Sequence, residues 1–212
     1  MRTIEVTIAG TTPLLQHRFA EDSEVSVGRA TRRVNFKAEL PRETAERSAY
    51  RDVGGALYFP GAAISRLLRE AGSGHKQRGS RRSLRFVVPA AVMVLDDAIP
   101  LFEADGGARA KDFEVDARPV TIPATKGRVM RYRPRLDAWA AKFRVRVNED
   151  VLSAEVVHQL LVEGGQQIGI GDFRPERGGP FGMFRIIHWN EEEKADRLGL
   201  HEEARFGVAA SR

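Results

Sequence analysis

Alternating apolar and polar residues at the start of the chain, followed later by two segments with helical apolar spacing, limit the folds open to this sequence. Ile4, Val6 and Ile8 alternate with polar residues, which predicts a strand with one buried face. Gly10 ends this run. The long polar stretch at residues 11–55 is expected to be an insertion that contains a short helix around residues 41–50.

Two amphipathic helices are predicted further along the chain. The first follows Pro60-Gly61 and ends at Gly72, and the second begins at a Ser153 cap and ends at Gly164-Gly165. In both helices, apolar residues three and four positions apart form one stripe that faces the core. The stripes consist of Ile64, Leu67, Leu68 and Ala71 in the first helix and of Val156, Val157, Leu160 and Leu161 in the second.

Three further strands complete the pattern. They lie within residues 84–95, where Pro89 is expected at a bulge or an edge, at residues 142–147 and at residues 183–189. A hairpin over residues 115–133, turning near 125–127, separates the second strand from the third. The order β-α-β-β-α-β is typical of the ferredoxin-like, RRM-like α+β fold, with two helices on one face of a four-stranded antiparallel sheet.

The length of 212 residues favours one domain with a substantial core. We expect this domain to span residues 1–190, with insertions at 11–55 and 96–135, and an acidic peripheral tail to span 191–212. The absence of cysteine excludes a thiol nucleophile and thiolate metal sites. No apolar run approaches the roughly 20 residues of a membrane span, so a cytoplasmic protein without membrane contact is expected.

Basic residues are concentrated in the middle of the chain. The net charge is +5, and residues 118–146 contain nine basic residues against one acid, Asp137. Residues 191–205 have the opposite charge balance, with six acids and three bases. A basic body with an acidic tail favours a polyanionic partner, although an arginine-rich surface can also be a feature of composition alone.

Two glycine-containing segments carry a resemblance to a known family. Residues 57–69 read LYFPGAAISRLLR, and residues 164–184 read GGQQIGIGDFRPERGGPFGMF. The first resembles the Pro-Gly entry to the first helix in the RAMP superfamily, the RRM-like subunits of CRISPR effector complexes. The second is similar to the glycine-rich loop before the last strand of those proteins. Both stand where the β-α-β-β-α-β order requires them.

Within the superfamily, a single ferredoxin-like unit with a hairpin between the second and third strands resembles the repeated backbone subunit. The resemblance implies binding of guide RNA, assembly with other copies head to tail, and contact with other effector subunits. The hairpin would act as a thumb over the RNA. A relative from a phage or another mobile element, which coats single-stranded nucleic acid, is the alternative within the same resemblance.

Several groups of residues are suited to binding a nucleic-acid backbone. Glycines allow close backbone approach, so N–H groups near Gly169 and Gly171 could face phosphates, with charge from Arg174 and Arg177. Alternate residues on a strand lie roughly 6.6 Å apart, close to the spacing of phosphates, which favours Lys142, Arg144 and Arg146 as a basic ladder. The remaining candidates are Arg66 and Arg69 of the first helix and Lys126, Arg128, Arg131, Tyr132 and Arg133 of the hairpin, where the aromatic ring could stack on a base.

These residues also have structural interpretations. The glycine-rich segment could be a turn that ends the second helix, and the ladder could be a solvated polar face. The basic hairpin could contact an acidic neighbour, such as the tail of another copy.

Catalytic candidates are weak. The five histidines are scattered without the spacing of a metal site, so neither a metal nor a cofactor is expected. His17 follows the first strand, where the resemblance implies the general base of some RAMP ribonucleases. Asp22 lies in the loop where target-cleaving backbone subunits carry an aspartate.

Three functions follow from these observations. The leading hypothesis is a non-catalytic subunit that holds single-stranded nucleic acid, in particular guide RNA, across the open face of the sheet. The second is a metal-independent endoribonuclease that uses His17. The third is an assembly protein of a phage or mobile element that binds no nucleic acid.

Overall fold

The computed structural model describes residues 1–18, 40–104, 107–121 and 127–191. Its strands are β1 (Arg2–Gly10), β2 (Leu14–Leu15), β3 (Tyr58–Pro60), β4 (Val92–Val94), β5 (Ala98–Phe102), β6 (Glu114–Thr121), β7 (Arg128–Leu136), β8 (Ala140–Val147) and β9 (Phe184–Glu191). Its helices are α1 (Pro41–Arg47), α2 (Gly61–Ala71), α3 (Val88–Ala91) and α4 (Ala154–Glu163). The chain is therefore mixed α/β with antiparallel sheets, as the sequence predicts.

The main sheet has six strands, so the expected four-stranded sheet is wrong in strand number. Its order is β3-β5-β8-β1-β9, and β4 also pairs with β8. The two additional strands are β3 and β5: β5 pairs with β8, which is long enough to pair with β4 as well, and β3 pairs with β5. Phe102 and Leu101 of β5 pair with the first two residues of β8, while β4 pairs with its last three.

A second sheet of three strands, in the order β2-β7-β6, is built on the predicted hairpin. The hairpin strands pair from Glu114 with Arg135 to Thr121 with Arg128, so the hairpin prediction is confirmed, while residues 122–126 at the turn lie outside the described residues. Leu14 and Leu15 extend this sheet, and α1 packs against it.

The core lies between one face of the main sheet and the helices α2 and α4. The predicted inward residues of the first strand, Ile4, Val6 and Ile8, are fully buried. Phe143, Val145 and Val147 of β8 lie in the same core as the helix stripes. The two predicted helices therefore cover one face of the sheet. Among the described residues, no helix is both long and apolar enough to span a membrane.

The region 84–95 contains the predicted strand, but the strand is short and Pro89 is not at the expected bulge or edge. Residues Leu84–Phe86 form a 3₁₀ turn and Val88–Ala91 a short helix, so the strand begins only at Val92. Pro89 stands in the first turn of α3 and not at a bulge. The fixed φ of proline suits that position, where its missing N–H would have no partner in the helix.

The second predicted helix ends near its glycines. Ser153 is at the N-cap, and α4 ends at Glu163. A π-helical turn over Gly164–Ile168 continues the chain to Gly169, whose φ of 70° turns it out of the helix. The glycine-rich segment continues from this turn.

Candidate nucleic-acid interface

Three segments that are distant in the sequence meet at one face of the hairpin. The Nη1 atom of Arg131 lies 2.8 Å from Nε2 of His17, which follows β2. The Nε atom of Arg133 lies 2.8 Å from Oδ2 of Asp172 in the glycine loop, which we define as residues 169–182. The Cζ atom of Arg118 lies 4.5 Å from the ring centroid of Phe181 in the same loop. We call this region the loop–hairpin surface.

The strand register explains why the arginines share a face. Arg118 pairs with Arg131, and Asp116 pairs with Arg133, two residues along each strand. Directly paired residues and their i, i+2 neighbours point to the same side of a sheet. The face opposite carries Tyr132, which pairs with Ala117 and packs against the core.

His17 is positioned by its chain neighbours. Leu15 pairs with Arg135 of β7, and the N–H of Gln16 donates to the carbonyl of Pro134 over 3.0 Å. The buried amide of Gln16 donates to the carbonyl of Tyr58 and accepts from the N–H of Tyr50, both over 2.9 Å. Sequence reasoning missed Gln16, because a single polar residue after an apolar pair carries no pattern.

Two buried charges lie beneath this surface. The side chains of Arg133 and Asp116 are only 7% and 3% exposed, with Nη1 and Oδ2 3.7 Å apart. Asp116 also accepts from Nε of Arg118 over 2.7 Å. The sequence predicted Arg133 as a nucleic-acid contact, but the structure places it inside an ion-pair network. The two carboxylates that pair with it, Asp116 and Asp172, were not predicted; the alternation of Asp116 with Arg118 was the available signal.

The glycine loop packs tightly against the backbone of Leu15 in β2. Gly171 has a φ of 78°, and a Cβ there would lie 2.4 Å from the carbonyl oxygen of Leu15. The N–H groups of Gly169, Ile170 and Asp172 donate to the carbonyls of Gly164, Gly182 and Leu15 over 2.8–2.9 Å. These three N–H groups already have partners, so the expected use of the backbone near Gly169 as a phosphate cradle is not supported by the geometry.

The arginines of the loop differ in their surroundings. Arg174 donates to the carbonyl of Gly171 over 2.8 Å and pairs with Glu176, which also pairs with Arg66 of α2. Burial raises the pKa of Glu176, but the hydrogen bonds and charges of Arg66 and Arg174 together lower it by more. The pKa of Glu176 therefore lies below its usual value. Arg177 is exposed, and within the described ranges its guanidinium has neither a hydrogen bond nor an ion pair.

Arg69, the second candidate arginine of α2, has a different partner from Arg66. Arg69 pairs with Glu70 over 3.3 Å and lines, with Arg66, a cleft of about 470 Å³ between α2, α3 and β4. Arg128 at the tip of the hairpin is exposed. Lys126 and Asp22 lie outside the described residues.

The basic ladder lies apart from the loop–hairpin surface. Lys142, Arg144 and Arg146 are exposed, on the face of the main sheet opposite α2 and α4. Lys142 pairs with Glu5 and Arg144 with Asp96, each over 2.8 Å. The hydrogen bond from Arg144 lowers the pKa of Asp96, against the opposing effect of burial. The helices leave this basic face exposed, but carboxylates pair with two of its three cations.

The surroundings of His17 lower the pKa of its imidazole. Burial lowers the pKa of its imidazole, and the charges of Arg131 and Arg133 lower it further, while Asp172 opposes them. Because its pKa is lowered from 6.5, His17 is a neutral group within a cluster of arginines near neutral pH.

In the part of the chain that the structure describes, no group of three or more histidine and carboxylate side chains could hold a metal ion.

Comparison with solved structures shows a likeness in fold. No protein-family model and no curated protein matches this chain. A matching solved chain belongs to a cryo-EM structure of the type III-B Cmr-beta bound to cognate target RNA, with a TM-score of 0.51 and 13% sequence identity. The match covers 90% of this chain but 60% of that one, so this chain is considerably shorter. At this identity the likeness establishes a similar fold.

Proposed function

We propose that this chain is a non-catalytic subunit that binds single-stranded nucleic acid, in particular guide RNA, within a CRISPR-type ribonucleoprotein. It would act with other effector subunits and with further copies of itself. The ferredoxin-like core over residues 1–190 would be the structural frame, and the loop–hairpin surface would contact the backbone of the nucleic acid. The likeness to a chain of an RNA-bound Cmr-beta structure supports this proposal, as does the sequence resemblance to RAMP proteins.

The observation that carries the proposal is the convergence at the loop–hairpin surface. His17, the hairpin arginines and the glycine loop come from three separate parts of the chain, and the fold brings them into contact. Asp116 and Asp172 balance the buried Arg133, but the exposed Arg131 faces a neutral imidazole. Its positive charge is therefore available to a phosphate, which is the dominant contact in binding that tolerates any sequence.

Fluorescence anisotropy with a labelled 30-nucleotide RNA tests the proposal. We expect Arg131→Ala to weaken binding about tenfold, the scale of one charge-assisted hydrogen bond. The matched control is Arg135→Ala, since Arg135 lies on the same strand but pairs locally with Asp137. Binding to double-stranded RNA of the same length should be weaker. If wild-type protein does not bind single strands at 100 mM salt, the proposal is wrong.

The same samples separate this proposal from an endoribonuclease. We expect the RNA to be recovered intact after binding in EDTA, as in a subunit that only holds it. The contact between Arg131 and Nε2 of His17 supports this expectation, because a general base needs a free acceptor nitrogen facing its substrate. Cleavage that is lost in His17→Ala would favour the enzyme instead.

A further inference from the structure

His17 and Arg131 form a contact whose chemistry fixes the protonation state of the histidine. The Nη1 atom of Arg131 lies 2.8 Å from Nε2 of His17. A guanidinium carries only donors, so Nε2 must be the acceptor. The proton of the neutral ring is then on Nδ1, as assigned from this hydrogen-bond geometry.

The surroundings of His17 favour this neutral state. The charged groups that face it are Arg131 and Arg133 from β7 and Asp172 from the glycine loop. Asp172 is already paired with Arg133, which in turn lies near Asp116 of β6. The Nδ1 atom is buried and has no hydrogen-bond partner among the described residues. No carboxylate therefore accepts a hydrogen bond from an imidazolium there, in agreement with the lowered pKa of His17.

We propose that neutral His17 is a positioning residue, which holds the guanidinium of Arg131 on the loop–hairpin surface, and that its protonation releases Arg131. A proton on Nε2 would place two donors and two positive charges 2.8 Å apart, so the contact would break. This inference rests on the proposed function, in which Arg131 contacts a phosphate. Binding of single-stranded nucleic acid then weakens as the pH falls.

The sign of this effect distinguishes it from the ordinary role of a histidine near nucleic acid. An imidazolium that contacts a phosphate directly strengthens binding when it gains its proton. Here, acidification removes an arginine from the position where it acts. Because burial and the two arginines lower the pKa of His17 below the usual 6.5, the change falls below pH 6.5.

The first experiment measures affinity for a labelled 30-nucleotide poly-U RNA between pH 7.5 and pH 5.0 at constant ionic strength. We expect wild-type affinity to fall about tenfold over this range, as in the loss of one charge-assisted hydrogen bond. His17→Gln keeps an acceptor that does not titrate, so it should bind better than His17→Ala at pH 7.5 and show no such fall. His158→Gln is the matched control, since its ring packs on Trp189 and not on this surface, and it should keep the wild-type profile.

The second experiment needs no nucleic acid. Nitrogen-15 NMR of the imidazoles should show His17 as the Nδ1–H tautomer, and Arg131→Ala should raise the pKa of His17 by removing a nearby positive charge. An Nε2–H tautomer would overturn the inference, and so would wild-type binding that strengthens or stays constant as the pH falls. Absence of binding at every pH would overturn the proposed function, while the tautomer would still decide whether His17 accepts from Arg131.

Discussion

The Nε atom of Arg133 lies 2.8 Å from Oδ2 of Asp172, which joins the middle of the hairpin to the glycine loop. The arginine side chain is 7% exposed and the aspartate 33%. A strand in the second sheet and a loop that follows α4 are thus connected by charge at the edge of the core. The exposed Arg131, two residues before Arg133, lies on the same face of β7.

Arg133→Ala should lower the free energy of unfolding by about 3 kcal/mol. Removing one partner of a buried pair is destabilising, because the buried carboxylate of Asp116 then keeps only Arg118 as its partner. That remaining partner and the exposure of Asp172 place the cost at the low end of the usual range. Arg131→Ala is the control on the same face and should change stability by less than about 0.5 kcal/mol. Urea unfolding at pH 7 measures both. Equal and small losses would mean that the network does not hold the loop to the hairpin.

Two glycines with the same backbone conformation but different surroundings test the packing of the loop. Gly171 and Gly178 have φ values of 78° and 76°, but only at Gly171 would a Cβ meet another atom, 2.4 Å away on Leu15. Gly178→Ala should therefore cost about 1–2 kcal/mol for its φ alone. Gly171→Ala should cost about 1–3 kcal/mol more, since the backbone of Leu15 must move. Thermal unfolding of the pair would contradict this if the two variants had the same midpoint.

The pattern of buried residues was predictable from the sequence, because period-2 and helical spacings reflect one-sided burial. Ile4, Val6 and Ile8 follow the first rule and Leu67 and Leu68 the second, and all five are buried. The strand number was not predictable. The short strands β4 and β5 pair with the long β8, and β3 pairs with β5, but no local sequence pattern indicates these partners.

The candidate site was predictable in its segments but not in its contacts. Basic composition selected Arg131 and Arg133 together, and both lie on the same face of β7, but Arg133 is buried beside Asp172 of the glycine loop while Arg131 is exposed. Tyr132, between them, faces the opposite side because successive residues of a strand point to opposite faces. The covered side of the hairpin is the one against which the glycine loop packs, through Asp172 and Phe181. Long-range placement of this kind has no signal in residue spacing.

The ion pair between Asp96 and Arg144 should give stability that depends on pH. The pKa of Asp96 is lowered in the folded protein from its usual 3.8, chiefly by the hydrogen bond from Arg144. A carboxyl with a lowered folded-state pKa stabilises the protein above its unfolded-state pKa, and this contribution is lost as the pH falls further. The difference in unfolding free energy between wild type and Asp96→Asn should be constant from pH 8 to 5 and shrink below about pH 4.

Arg144→Ala is the companion variant for this measurement. It removes the main cause of the lowered pKa, so the difference between Arg144→Ala and wild type should shrink in the same pH range. Urea unfolding at pH 7.0, 5.0, 3.5 and 3.0 provides the four points needed. A difference that stays constant down to pH 3.0 would show that Asp96 gains nothing from Arg144 in solution.

The salt dependence of binding should rank the two basic surfaces. Each phosphate neutralised on a single strand contributes about −0.7 to the slope of log K against log salt concentration. Arg131 and Arg177 are exposed, and among the described residues neither pairs with a carboxylate, so the double alanine variant should flatten the slope by about 1.4. The ladder variant Lys142→Ala, Arg144→Ala, Arg146→Ala should flatten it by at most about 0.7, because Glu5 and Asp96 already neutralise two of the three cations. A flattening near 2 in the ladder variant, with none in the Arg131 and Arg177 variant, would move the binding surface to the open face of the main sheet.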